Sequence, residues 1–225
     1  MDFKEYLSRG ITFIQEGKIG PALDNLEAAL KLQPNNADVQ QMIAMLKMQA
    51  EYKAQGEQAL ENEIVHRANV IGINAEDADK AIAELTQTLR SNPDDISAKS
   101  ALAQVYYLRG LTFQSTGEYT KAVEDYSEAI KYEPEYFFAF NKRGAVNLKM
   151  GNYDQAIKDY EKAFQMHPDD MQCKQNIANA YMRWGIEYDK KGDYGNAARY
   201  FEKSLDLDQG NNTTRELLDM AKTHL

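Results

Sequence analysis

Apolar residues return at helical steps along nearly the whole chain. Phe3, Tyr6, Leu7, Gly10, Phe13 and Ile14 fall on one helix face, and Ala22, Leu23, Leu26, Ala29 and Leu30 on another. Gly17 sits between the two blocks as a turn, and Pro34 stands just past the second as a stop. The spacing predicts two antiparallel helices before residue 36. From Val105 to Pro168 the same pattern is written twice. Gly110, Gly117, Tyr119, Ala122, Tyr126, Ala129 and Pro134 recur as Gly144, Gly151, Tyr153, Ala156, Tyr160, Ala163 and Pro168, each 34 residues further on. A fixed period of this size marks a repeat array, in which one unit cannot bury its apolar face and neighbours complete the core.

The first copy, Gly10, Gly17, Ala22, Leu26, Ala29 and Pro34, keeps the same internal steps. A later copy carries Gly185, Gly192, Tyr194, Ala197, Phe201 and Ser204, with Gln209 in place of the proline. Between Pro93 and Pro134, and again after Pro168, the spacing grows to 41 residues, seven more than the period. Seven residues are two helical turns with a phase drift of only about 20°. The first helix of each long copy is therefore expected to grow by two turns while keeping its core face. Both long copies open on Pro-Asp-Asp, where an Asp is placed to accept from the free amides of the next helix.

The period is lost between Ala37 and Ile73. Val39, Ile43, Leu46, Ala50, Leu60, Ile64, Ala68 and Ile71 still return at helical steps, interrupted only by Gly56. Either one long helix or two helices breaking near Gly56 would fit; keeping the up-down alternation intact favours one. Ala81, Leu85, Thr88 and Pro93 restore the second half of the pattern over a helix from Ala75 to Ser91, while Asn69 and Glu76 stand where the two glycines belong. Thr213 and Glu216 read as a capping box for a last helix that covers the end of the array. The expected organisation is one array over 1–225: repeats at 1–36, 37–93 (degenerate, with the long helix), 94–135, 136–169 and 170–210, then a capping helix at 211–225.

Composition narrows the chemistry. Of 225 residues, 43% are hydrophobic and 27% charged, as in a chain able to bury a core. The net charge of −9 argues against a nucleic-acid surface, which needs clustered Lys and Arg. The longest basic runs are pairs such as Lys142–Arg143 and Lys190–Lys191, which read as solvated helix faces. A single cysteine, Cys173, excludes an internal disulfide and suits a reducing compartment. No stretch is long enough to span a membrane and the first residues lack a signal pattern, so a soluble, cytoplasmic chain without membrane contact is expected. His66, His167 and His224 are far apart, no catalytic or nucleotide-binding motif occurs, and no cofactor, metal or catalytic residue is expected. Cys173 reads as a packed thiol.

The paired glycines with their following alanine and aromatic resemble the tetratricopeptide repeat family over about three-quarters of the chain, all but the stretch from Ala37 to Ile73. Gly10, Gly110, Gly144 and Gly185 are read as places where paired helices approach too closely for a side chain, and Gly17, Gly117, Gly151 and Gly192 as turn positions with positive φ. The resemblance implies an all-α, right-handed superhelical solenoid of antiparallel helix pairs. It also implies a concave groove, lined by the first helices, that binds an extended peptide or a partner helix. Carried over position by position, that groove comprises Tyr107, Leu111 and Gln114, then Phe138, Asn141, Lys142, Ala145 and Leu148, then Asn179, Met182, Arg183 and Ile186. Phe137 and Phe140 are expected to pack between repeats, leaving Phe138 outward. The extensions and the terminal helix are placed to cover part of this surface.

A subset of the family clamps the C-terminal carboxylate of chaperones with Lys, Asn and Arg. Here Tyr107 and Leu111, or Leu7 and Ile11, replace the first Lys and Asn; Lys142 replaces the second Asn, Asn179 the second Lys, and Arg183 alone is kept. A chaperone clamp is therefore not expected, although Lys142 and Arg183 could meet an acidic ligand. The function read from the chain is a non-catalytic scaffold binding a protein or peptide. The alternative is a homo-oligomer joined through the long helix near 37–71, where Met42, Met45 and Met48 beside Leu46 suggest surplus apolar surface.

Overall fold

The computed structural model describes residues 1–48, 50, 56, 59 and 75–225, and every element among them is helical. The chain divides into two compact units, Met1–Asn62 with His167–Gln172, and Glu63–Met166 with Cys173–Leu225.

The first unit holds α1 (Phe3–Gln15), α2 (Ile19–Leu32) and α3 (residues 37–48). Asp2 and Glu5 form a reciprocal capping box at the start of α1, satisfying two otherwise free amides. Ile19, Leu23 and Leu26 of α2 pack with Val39, Ile43 and Leu46 of α3, and Met171 closes against the same core. Whether α3 continues as the one long helix expected or breaks near Gly56 turns on residues 49, 51–55 and 57–58, which lie outside the described residues, as does His66.

The second unit is built from α4 (Ala75–Ser91), α5 (Ile96–Thr116), α6 (Tyr119–Tyr132), α7 (Phe137–Lys149), α8 (Tyr153–Met166), α9 (Met171–Lys190), α10 (Tyr194–Leu207) and α11 (Asn212–Lys222). The pairs are antiparallel. Tyr106, Gly110 and Gln114 meet Tyr132 and then Tyr126, so partners fall in number along α6 as positions rise along α5. The two extended first helices are 21 and 20 residues long, against 13 for α1 and α7, so the additional turns are helical and continuous with the repeat. Asp95 caps α5 by accepting from the Ala98 amide, the role expected of the Pro-Asp-Asp opening.

Two glycine sets make the hairpins possible. A methyl group on Gly110 would lie 2.8 Å from the Tyr126 ring, and one on Gly185 would lie 2.6 Å from that of Phe201. Gly117 ends α5 with φ of 83°, a left-handed conformation in which its amide returns to the Gln114 and Phe113 carbonyls. Ala122, Ala156 and Ala197 are fully buried opposite the first set.

The cap of α11 differs from the expected box. Asn211, not Thr213, supplies the cap oxygen and accepts from the Thr214 amide at 3.0 Å. The helix begins one residue after Asn211, so Thr213 is already inside its first turn. Leu218 and Ala221 of α11 are buried against Ala197, Ala198 and Phe201 of α10, covering the apolar surface that a further repeat would otherwise complete.

Candidate protein-binding surface

The surface under test lies on α5, α7 and α9, all first helices of their pairs. Their facing is set by the glycines: Gly110, Gly144 and Gly185 each seat against a ring or side chain of the second helix, which fixes the rotation of the helix carrying them. The side chain immediately before each glycine is then aimed at the second helix too. Arg109 donates in bidentate fashion to Asp125 at 2.8 and 2.6 Å and also reaches Asp79 of α4. Arg143 does the same to Asp159 at 2.9 and 2.6 Å and donates to Ser127 Oγ of α6. Asp125 and Asp159 are buried, so these arginines bind successive second helices together through desolvated charge pairs. The hydrogen bonds it donates to Asp125, and to a lesser degree to Asp79, raise the pKa of the Arg109 guanidinium and keep it protonated.

The twelve expected groove residues separate into three groups. Tyr107 is fully buried and presents no open face, and Leu148 keeps 8% of its surface exposed. Tyr107 is enclosed by the rings of Tyr126, Tyr136 and Phe138 at 5.2–6.5 Å, which corrects its assignment to an accessible groove. Leu111, Gln114, Phe138, Asn141, Lys142, Ala145, Met182 and Ile186 are half-buried, and Asn179 and Arg183 are exposed. Gln114 accepts from the Tyr126 hydroxyl at 2.7 Å. Met182 and Ile186 pack on the cluster that includes Leu218 and Ala221, so the terminal helix covers part of α9. Phe137 and Phe140 are buried, leaving Phe138 as the partly accessible ring of the three.

Leu148, Arg183 and Ile186 are brought together at an open cleft of about 740 Å³ between the C-terminal ends of α7 and α9. Lys149, Tyr153, Trp184, Glu187, Tyr188, Lys190 and Lys191 complete its polar and aromatic walls. Five rings run beside and behind this cleft: Tyr153 stacks with Trp184 at 6.0 Å, Trp184 with Tyr200 at 4.3 Å, Tyr200 with Tyr188 at 5.4 Å and with Tyr181 at 6.1 Å. Burial raises the phenol pKa values of Tyr181 and Tyr200, which favours their neutral forms.

Sequence reasoning missed Trp184, Tyr188, Lys149, Lys190 and Lys191. One signal was present: Arg109 and Arg143 precede their glycines, whereas Trp184 precedes Gly185. Cys173 is fully buried and its thiol donates to Asn141 Oδ1 at 3.5 Å, so it is a packing residue. Among the described residues, no cluster of His, Cys, Asp or Glu is placed to hold a metal ion, and no helix is long and apolar enough to cross a membrane.

A stack of glycine-seated helix hairpins defines an all-α helical-repeat protein. Tetratricopeptide repeat profiles match residues 137–170 and 178–211, and a TPR repeat profile matches residues 110–151. These matches, all within residues 110–211, support a tetratricopeptide repeat protein. The chain is 31% identical over 115 residues to Photosystem I assembly protein Ycf3 of Synechococcus sp. (strain CC9605), and 30% identical over the same length to that of strain CC9902. These matches span 50% of this chain and 66% of each relative, just under two thirds of their length. Among solved structures, a MamA protein is 23% identical with a TM-score of 0.38, covering 92% of both chains. The Arabidopsis OM64 TPR domain is 26% identical with a TM-score of 0.38, covering 56% of this chain and 99% of that one.

Proposed function

We propose that the chain is a non-catalytic scaffold that holds a peptide or helical segment of another protein against α5, α7 and α9. One observation carries the reading: Phe138, Asn141, Ala145 and Met182 keep part of their surface accessible on consecutive first helices, while the rings and leucines behind them are buried. A mixed apolar and polar face on rigid helices suits recognition of a segment whose own apolar side chains need covering. The match to a repeat family known for protein interaction supports it, as does a cyanobacterial relative named as an assembly protein. The test is affinity capture from native lysate with the wild type and a Phe138→Ala/Met182→Ala variant. The expected result is loss of specific partners in the variant; identical partner sets would sink the groove assignment.

A second reading has its own observation. Met45 and Met48 of α3 are 64% and 70% exposed beside buried Leu46, an apolar surplus suited to self-association. Light scattering across a concentration series decides it, since a strict monomer throughout excludes a homo-oligomer.

A further inference from the structure

The cleft between the ends of α7 and α9 is electrically opposite to the rest of the molecule. Its walls carry Lys149, Arg183, Lys190 and Lys191 against one carboxylate, Glu187, in a chain whose net charge is −9. Lys190 and Lys191 share that carboxylate at 3.8 and 3.7 Å. Lys149 faces the Tyr119 ring at 4.8 Å, and Arg183 makes no ion pair among the described residues. Among the residues lining the cleft, four cations face one carboxylate, which leaves the wall net positive. The remaining wall is apolar and aromatic, formed by Leu148, Ile186 and the Tyr153–Trp184 stack.

From this juxtaposition we propose that the cleft takes an internal acidic peptide segment of a partner protein. Its carboxylates would lie over Lys149, Arg183 and Lys191, and one aromatic or aliphatic side chain would rest on Trp184. The inference rests on the scaffold reading and names the chemistry of the segment held. A cleft of about 740 Å³ accommodates several side chains, and its stacked rings are held rigid by Tyr200 behind them. The overall negative charge of the chain disfavours a polyanion longer than the cleft, which selects a short acidic segment over a nucleic acid strand. Because the cations flank the cleft along both helix ends, the segment does not need a free terminal carboxylate.

Fluorescence anisotropy with a short labelled peptide of alternating Glu and Phe residues, amidated at its C-terminus, tests the proposal on the full chain. Binding is expected, weakening as salt rises. It is also expected to fall about tenfold or more in a Lys149→Glu/Lys191→Glu variant, the equivalent of about 1.4 kcal/mol. Both lysines are exposed, so an unchanged melting temperature is expected for that variant. Equal binding of the peptide with Gln for Glu overturns the proposal, as does equal binding by the charge-reversed variant. Tighter binding of a single-stranded oligonucleotide or of anionic vesicles overturns it in favour of that other class. If lysate partners are lost with Phe138→Ala/Met182→Ala but kept by Lys149→Glu/Lys191→Glu, the cleft assignment fails while the scaffold reading stands.

Discussion

Trp184 stacks on Tyr200 at 4.3 Å between ring centroids, in the place where the two preceding repeats hold an arginine–aspartate pair. Arg109 with Asp125 and Arg143 with Asp159 have the same separation of 16 residues, and each pair joins the first helix of its repeat to the second. In the first repeat Arg9 has this place, but Asn25 stands where the aspartate would be and bonds to the Pro21 carbonyl. The position thus changes from charge pair to aromatic stack along the array. The stack puts rings rather than a desolvated ion pair behind the basic cleft.

That substitution is testable as a cycle. Trp184→Arg and Tyr200→Asp should each destabilise the fold by roughly 2 kcal/mol, by loss of half-buried aromatic packing and by stranding a charge. The double variant should recover most of that, giving a coupling energy above about 1 kcal/mol in chemical denaturation. Strict additivity of the two single effects would show that the two positions are not interchangeable.

The charge pair of the preceding repeat makes a complementary case. Asp159→Ala leaves the Arg143 guanidinium facing a buried gap, and a loss of roughly 2–3 kcal/mol is expected, below the full cost of a buried pair because Arg143 retains 21% exposure. Arg143→Met/Asp159→Leu should return close to wild-type stability. Urea midpoints with unchanged slopes would check both.

The two glycine sets should respond differently to alanine. At Gly185 the new methyl group would meet the fully buried Phe201 ring at 2.6 Å and the Ala197 carbonyl at 3.2 Å, so overpacking of roughly 2–3 kcal/mol is expected. At Gly117 there is open space, and the cost is the left-handed backbone alone, about 1 kcal/mol. A Phe201→Leu background should relieve Gly185→Ala and leave Gly117→Ala unchanged, as read by thermal unfolding.

Ser204 stands where Ala29, Ala129 and Ala163 occur in other repeats; it is fully buried, and its hydroxyl has no hydrogen-bond partner among the described residues. Ser204→Ala is expected to stabilise by about 1 kcal/mol, the cost of an unsatisfied buried hydroxyl. A clear loss of stability on calorimetry would show that the hydroxyl is satisfied in solution.

Alkaline pH should weaken the fold through its tyrosines. Burial, with the neighbouring Cys173 and Asp159 adding, pushes the Tyr160 phenol up to about 12. Tyr106 is raised chiefly by burial as well. A raised folded value means that this contribution to stability is complete below the unfolded value of about 10. It falls as pH rises from there toward about 12, because the unfolded chain releases protons that the folded chain keeps. Denaturation midpoints should therefore decline over that window, less steeply in Tyr160→Phe. An identical decline in both proteins would remove Tyr160 as a cause.

Much of the architecture was legible because it repeats. The Ala75–Ser91 helix, the two-turn extensions of α5 and α9, and both glycine sets follow from spacing, since helical period and φ preference are local properties. The binding face was legible only in part. Tyr107 occupies a register position that favours the groove, yet three rings converge on it from α6 and from the start of α7. Lys190 and Lys191 read as a solvated pair in one dimension, because Lys149 and Arg183 reach the same cleft only when α7 and α9 lie side by side.

The sequence by itself determined that the regular repeats of this protein are glycine-seated helix pairs, where those pairs turn, and which of their faces are apolar. Period, small residues and turn residues act within one hairpin and need no knowledge of its neighbours. Tertiary structure alone decided that Tyr107 is core, that Trp184 stacks where arginines pair elsewhere, and that four cations share one cleft. Those outcomes depend on side chains meeting across helices, where burial and charge are set by neighbours that spacing does not name.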